Sequence, residues 1–211
     1  MKTKILLMVS VFLLIIACKK EPKATIEEAE TVEKVVSTSE FNVLADQSFI
    51  VWDAKKIVGG HDGTFHALEG NLQFTEGQLA GGKVTFDIAT LKVTNMPEDD
   101  ENYAKLTGHL LSPDFFDAEQ FPNATFEITN VSEDEIKGNL TIKGISKNIA
   151  FKANVNDEGD HVSITSDPFT IDRTEWDIKY NSGKFADPAK LGDFLIKDDV
   201  EIKVNVKAKK K

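Results

Sequence analysis

Four histidines, one cysteine and a few carboxylate clusters are the side chains here that could do chemistry. To hold a metal, His61, His66, His109 and His161 would have to converge. None stands in a His-Glu-x-x-His pattern, and no second cysteine is present to complete a zinc set. His61 and His66 are an odd number of residues apart in an extended stretch, which places them on opposite faces of a strand without a bulge. Asp114 with Asp117, and Asp172 with Glu175, are carboxylate pairs of the kind used in acid–base catalysis. Their settings point elsewhere. Asp114 and Asp117 flank Phe115-Phe116 after Ser112-Pro113, where carboxylates cap and turn the chain. Arg173, between Asp172 and Glu175, fits a structural ion pair at a strand corner better than a clamp on a ligand. Nucleophile-elbow, phosphate-loop and dinucleotide motifs are missing. Neither catalysis, a metal nor a cofactor is expected.

Cys18 carries a different chemistry. Lys2 and Lys4 precede an apolar run from Ile5 to Ala17 broken only by Ser10. As a helix that run is about 20 Å long, short of a ~30 Å hydrocarbon core, so residues 1–17 read as a signal peptide. The run ends Ile15-Ile16-Ala17-Cys18, the pattern of a bacterial lipobox. A lone cysteine in an exported chain has no partner for a disulfide; lipidation at Cys18 accounts for it and anchors the chain to a membrane of the cell envelope, facing the periplasm or the cell surface. The net charge of −10 becomes −12 when Lys2 and Lys4 leave. Such acidity excludes nucleic acid and electrostatic docking on anionic headgroups.

The elements that must position these residues are strands. Residues 18–40, rich in Glu, Lys, Thr and Ser, read as a flexible tether. Across residues 41–208, the expected barrel domain, apolar residues recur at period two. Even positions Thr64, His66, Leu68, Leu72 and Phe74 alternate with Phe65, Ala67, Glu69, Asn71 and Gln73. Val200, Ile202, Val204 and Val206 make the cleanest such run. A helix is predicted over 97–106, where acids precede Lys105. About eight strands at short spacing, without a βα repeat, predict an all-β antiparallel sheet that closes on itself. A barrel of eight strands has room for packed side chains or for one slim ligand.

The stretch Gly108-His109-Leu110-Leu111-Ser112-Pro113-Asp114-Phe115-Phe116-Asp117, followed by Phe121-Pro122 and Gly138-Asn139-Leu140-Thr141-Ile142-Lys143-Gly144, resembles the YceI family of bacterial lipid-binding proteins. The resemblance continues through Ile171 to Trp176 and Leu195 to Ile202. Leu106 and Thr107 stand where the family often carries Arg-Asp, so no role of that ion pair carries over. The resemblance implies a closed, eight-stranded, lipocalin-like barrel with one or two short helices around a polyisoprenoid-type lipid, an isoprenoid quinone or a polyprenol. Phe74, Phe86, Phe115, Phe116, Phe126, Phe151 and Trp176 are expected inside, with Ile142 on the wall. His109, Arg173 and Trp176 are the expected polar contacts at the mouth. The alternative is a filled barrel, a ligand-free structural or stress-related envelope lipoprotein. Phe185, in the loop 181–192, is expected to be exposed and marks a third possibility, an enzyme or chaperone-like partner protein that uses this loop. Monomer and dimer are both compatible with the sequence.

Overall fold

The structure is a computed structural model and describes residues 22–211. The expected signal peptide and Cys18 lie outside the described residues.

Twelve strands form one sheet. In chain order they are β1 (Thr25–Glu28), β2 (Ser39–Val43), β3 (Phe49–Lys56), β4 (Gly60–Thr75), β5 (Gln78–Asp87), β6 (Lys92–Val93), β7 (Asn123–Val131), β8 (Glu135–Ile142), β9 (Ile145–Asp157), β10 (His161–Ser166), β11 (Phe169–Asp172) and β12 (Ile196–Lys210). Around the ring, β9 pairs β10, β10 and β11 pair β12, and β12 pairs both β2 and β3. These two pair β4, which continues through β5, β7 and β8 back to β9. Taking β2 with β3 and β10 with β11 as single broken positions gives an eight-position antiparallel barrel, as the alternation predicts.

Two hairpins show why the register holds. Glu76-Gly77 and Lys143-Gly144 are two-residue turns between Thr75↔Gln78 and Ile142↔Ile145. All four residues have positive φ, from 49° to 81°, the geometry whose twist matches that of the flanking strands. Gly63 is required for another reason: a Cβ there would lie 1.9 Å from the Lys92 carbonyl oxygen and 2.6 Å from the Trp52 ring.

The core divides in two. Phe41, Leu72, Phe74, Val162 and Ala208 pack one end solid. Trp52, Phe65, Ile88, Leu91 and Val93 form a second cluster, against which Leu106, Leu110 and Phe116 lie. Leu106 and Leu110 belong to helix α1 (Tyr103–Leu111). That helix starts later than the acid-first pattern over 97–106 predicts. The Asp100 carboxylate bonds the backbone N–H and side-chain amide of Asn102, a local turn that competes with helix. Ser112 closes α1, its hydroxyl donating to the His109 carbonyl at 2.8 Å, and its own carbonyl accepts from the Phe115 and Asp117 N–H groups in the turn that follows.

The flexible tether expected over residues 18–40 is corrected over its described part. Ala24 is buried, and β1 pairs antiparallel with β9 from Thr25↔Ala150 to Glu28↔Lys147. The chain then crosses the outside of the barrel. Glu30 gives its N–H to the Asn139 side chain and receives the Asn139 amide on its carbonyl. Lys137 pairs with Glu27 and Glu30; its hydrogen bond holds the Glu30 carboxyl below the usual carboxylate range. Further on, Val35 lies over Gly81, and Thr38 donates its N–H to Phe74. This strap explains Asn148, an outward residue of β9 that is fully buried and bonds Asn139 and Thr129. Composition alone reads the strap as solvated because most of its side chains are; the backbone makes the contacts.

Candidate functional site

Between the solid end and α1 the barrel encloses a cavity of about 170 Å³. Every wall contributes: Trp52 and Ala54 from β3, Phe65 from β4, Val84 and Phe86 from β5, Phe126 from β7, Leu140 and Ile142 from β8. Ile149 and Phe151 come from β9, Phe169 and Ile171 from β11, and Val200, Ile202, Val204 and Val206 from β12. Leu110, Phe115 and Phe116 reach it from α1 and the following turn, and Trp176 and Ile178 from the segment after β11. Among the described residues no polar atom faces this space. An apolar cavity of this kind stays dry and receives apolar guests.

Of the residues expected inside, Phe86, Phe115, Phe116, Phe126, Ile142, Phe151 and Trp176 line the cavity. Phe126 and Phe151 are in contact with each other, ring centroids 5.5 Å apart, and Phe151 stacks on Phe169 at 4.6 Å. Phe74 is a correction. It is buried in the solid end against Phe41, at 5.0 Å, and is not among the lining residues. β4 explains this. A bulge between Ala67 and Glu69 shifts its register, so Gly63, Phe65 and Ala67 face inward before it and Leu72 and Phe74 after it, while Leu68 is half exposed. Strict alternation places Leu68 and Phe74 on one face and Phe65 on the other; one extra residue reverses the parity. Phe65 escapes the sequence reading for this reason; Trp52, paired with Gly63, belongs to the regular Ile50, Trp52, Ala54 alternation of β3. The period-two run of β12 does mark its four valine and isoleucine positions.

The polar contacts expected at the mouth are corrected too. His109 is outside the cavity. Its Nε2 lies 3.0 Å from an Asp114 carboxylate oxygen, and its ring packs edge-on against Phe115 and Tyr180. It ties α1 to the turn at Tyr180. Arg173 is buried and reaches the cavity wall, but its guanidinium donates to the carbonyls of Ile178 at 2.6 Å, Ile196 at 3.2 Å and Lys197 at 3.2 Å. Asp198 is 3.6 Å away. Burial pushes the Arg173 guanidinium below its ordinary value, against the pull of Asp198 and Asp172. This is a structural corner. Trp176, wholly buried, donates its indole N–H to Leu140 at 3.0 Å. Trp52 differs: among the described residues its buried Nε1 has no acceptor.

Asp172 holds the same corner. One carboxylate oxygen accepts from the Thr174 N–H and hydroxyl, and the other takes Lys184. Burial raises this carboxyl, but the bonds from Lys184 and Thr174 outweigh it and leave it below the usual carboxylate range. A depressed folded-state value stabilises above the unfolded-state value, and the stabilisation is lost as pH falls through the folded one. Asp172→Asn is expected to lower stability by about 1–3 kcal/mol at neutral pH and to remove part of the acid sensitivity seen in denaturant melts below about pH 4. A variant whose melts match the parent at both pH values would remove Asp172 from the stability of the corner.

The same end of the barrel exposes apolar side chains. Ile57, Val58, Phe185 and Phe194 are all more than half exposed. The Ile57 N–H bonds the Leu195 carbonyl, which joins the β3–β4 hairpin tip to the loop that carries Phe194.

Fold and site together define a closed antiparallel barrel around a wholly apolar chamber. The chain belongs to the YceI-like family, whose domain model matches residues 41–208. Protein YceI of Escherichia coli O17:K52:H18 is 34% identical over 142 residues, 65% of this chain and 64% of that protein; the chain thus matches less than two thirds of the length of these curated relatives. Among solved structures, the polyisoprenoid binding domain from Saccharophagus degradans, implicated in plant cell wall breakdown, superposes with a TM-score of 0.62 at 13% identity. It covers 81% of this chain and 98% of that one. Burkholderia cenocepacia BcnA gives 0.59 at 21% identity, over 79% and 99%. At these identities the likeness is one of fold.

Proposed function

We propose that this protein is an exported, membrane-anchored lipid carrier whose barrel holds the tail of a polyisoprenoid-type lipid, an isoprenoid quinone or a polyprenol. The observation that carries the reading is the apolar cavity, because a filled structural barrel has none. The Saccharophagus domain is named for binding such a lipid and shares the fold, which supports the same guest class here. Burying a methylene from water is worth about 0.8 kcal/mol, but a tail leaving a bilayer is already dry and gains far less. Selection therefore rests on shape and on polar contact with the headgroup.

The cavity is smaller than the roughly 300–1,000 Å³ of typical ligand pockets and near the size that takes up one benzene. A long tail needs the wall to move. No chemistry is needed for carriage, and the apolar lining offers a reacting group nothing to work with, so we read the protein as a binder and not an enzyme.

Native mass spectrometry of the protein purified from its own envelope tests the assignment. A bound mass that fragments in isoprene steps is expected; straight-chain fatty lipid alone, or an empty barrel, would sink it.

Anchoring is the second half of the reading. Cys18 is four residues before Pro22, whose carbonyl accepts from Thr170 at 3.0 Å. Four residues reach at most about 14 Å. A lipidated Cys18 therefore keeps the barrel wall against the bilayer, where a free tether over the whole of residues 18–40 would let it drift. Cys18→Ser is expected to abolish labelling by a clickable fatty acid and to leave an unprocessed precursor. Labelling at the parent level in that variant would refute the anchor.

A further inference from the structure

The ring of the barrel is not closed everywhere by the family domain itself. β9 pairs β10 only over residues 153–157. Its first half, which carries the cavity residues Ile149 and Phe151, has β8 on one side. On the other side stands β1, from the N-terminal strap. β11 pairs β12 along one edge. Along its other edge it meets the strap, through the bridge Lys23↔Thr170 and bonds from Ala24 N–H to Thr170 and from Thr170 N–H to Pro22. The strap thus fills a slot between β9 and β11, and it precedes residues 41–208, the part that matches the family.

We propose that the slot between β9 and β11 is the lipid portal of this barrel, and that residues 22–28 are its removable seal. The proposal rests on the cavity being a lipid site and adds the route by which the tail enters. Vacating β1 removes one strand between two neighbours, which leaves a gap about 9–10 Å wide, two inter-strand spacings. Its floor is the cavity wall: Ile149 and Phe151 on one side, Phe169 and Ile171 on the other, with the Phe151–Phe169 stack across it. The same opening supplies the expansion that a 170 Å³ cavity requires.

The seal is built to come away. It has four residue pairs with β9 and puts one side chain, Ala24, fully into the core. Ile26 is half-buried beside Ile149. Its charged contacts, Lys23 with Asp199, Lys137 with Glu27 and Glu30, and Lys147 with Glu28, are at the surface, where ion pairs are weak and screened by salt. The exposed slot edges that remain are kept from pairing with other chains while the strap is docked. The strap also begins beside the proposed anchor, so the portal opens on the side nearest the bilayer.

A cross-link tests this. Thr25 and Ala150 are directly opposed partners, at the ~4.5–5.5 Å Cα spacing of an antiparallel pair, within disulfide range. The full chain carrying Thr25→Cys with Ala150→Cys is compared oxidised and reduced, with each single variant as control for mispairing through Cys18. The readout is the rate at which the apolar dye N-phenyl-1-naphthylamine enters the cavity. Oxidation is expected to slow entry by about tenfold or more, with recovery on reduction, as for a gated site. A second variant, Lys137→Ala with Lys147→Ala, needs no cross-link and is expected to speed entry about two- to fivefold, the scale of exposed ion pairs. Equal rates in the oxidised and reduced protein would overturn the portal and direct entry to the end under α1. So would a loosened strap with no change in rate. Gated dye entry in a protein that carries no isoprenoid from its envelope would uphold the portal and refute the guest class.

Discussion

Trp176→Ala is expected to lower the stability of the barrel by about 3–5 kcal/mol, the range for removing a buried aromatic. Trp176 has no solvent exposure and sits in the four-residue helical turn Arg173–Trp176, which ends in Asp177 at φ 58°. Its indole N–H is bonded to the Leu140 carbonyl of β8, and its ring lines the cavity. Truncation leaves that carbonyl without its donor and enlarges a space that is already empty, so the wall has little with which to refill it. Urea melts followed by circular dichroism measure the loss. Trp176→Phe keeps an aromatic ring but removes the donor and part of the indole's volume, so it is expected to cost less than the alanine change, about 1–3 kcal/mol. A Trp176→Ala protein within about 1 kcal/mol of the parent would show that the turn collapses onto the vacancy and that the residue does not hold the wall.

Ile142→Trp is expected to have the largest effect on binding. Ile142 is at the end of β8, before the Lys143-Gly144 turn, and faces the cavity from the edge of both core clusters. The indole can enter the void. In a solid core the same enlargement overpacks and costs about 1–3 kcal/mol; here the loss is expected to stay below about 1 kcal/mol, the mild end of that range. Lipid recovered with the protein is expected to fall about tenfold, since the guest and the ring compete for one space. Two measurements on one variant separate the models: lipid recovered, and stability after delipidation. Undiminished lipid would place the guest elsewhere. A large loss of stability with no lipid in the parent would restore the filled barrel as the better reading.

Much of the barrel is legible in the sequence because its causes are local. Period-two alternation follows from strand geometry, and each strand here buries one face, so the alternation of β7, β8, β9 and β12 is written directly in residue types. Glu76-Gly77 and Lys143-Gly144 supply the positive φ that their turns need. Phe86, Phe126 and Phe151, three of the aromatics expected to line the cavity, stand on strands that carry the same alternation, and the family pattern around Phe115-Phe116 marks the plug beneath α1.

Tertiary structure decided what depends on partners far along the chain. Whether Phe65 or Leu68 faces inward turns on a bulge in β4 that only its pairing with β5 reveals. Arg173 reads as an ion pair between its neighbours in sequence, yet its donors go to carbonyls at 178, 196 and 197. The strap has the composition of a solvated linker, and it docks through backbone bonds to Asn139 and Thr170, more than a hundred residues away. Backbone groups are the same in every sequence, so composition cannot announce which of them will find a strand edge. The emptiness of the cavity is likewise a difference between the volume the ring encloses and the volume its side chains fill. The first is set by the closure and tilt of the whole sheet, and no single stretch of the chain encodes it.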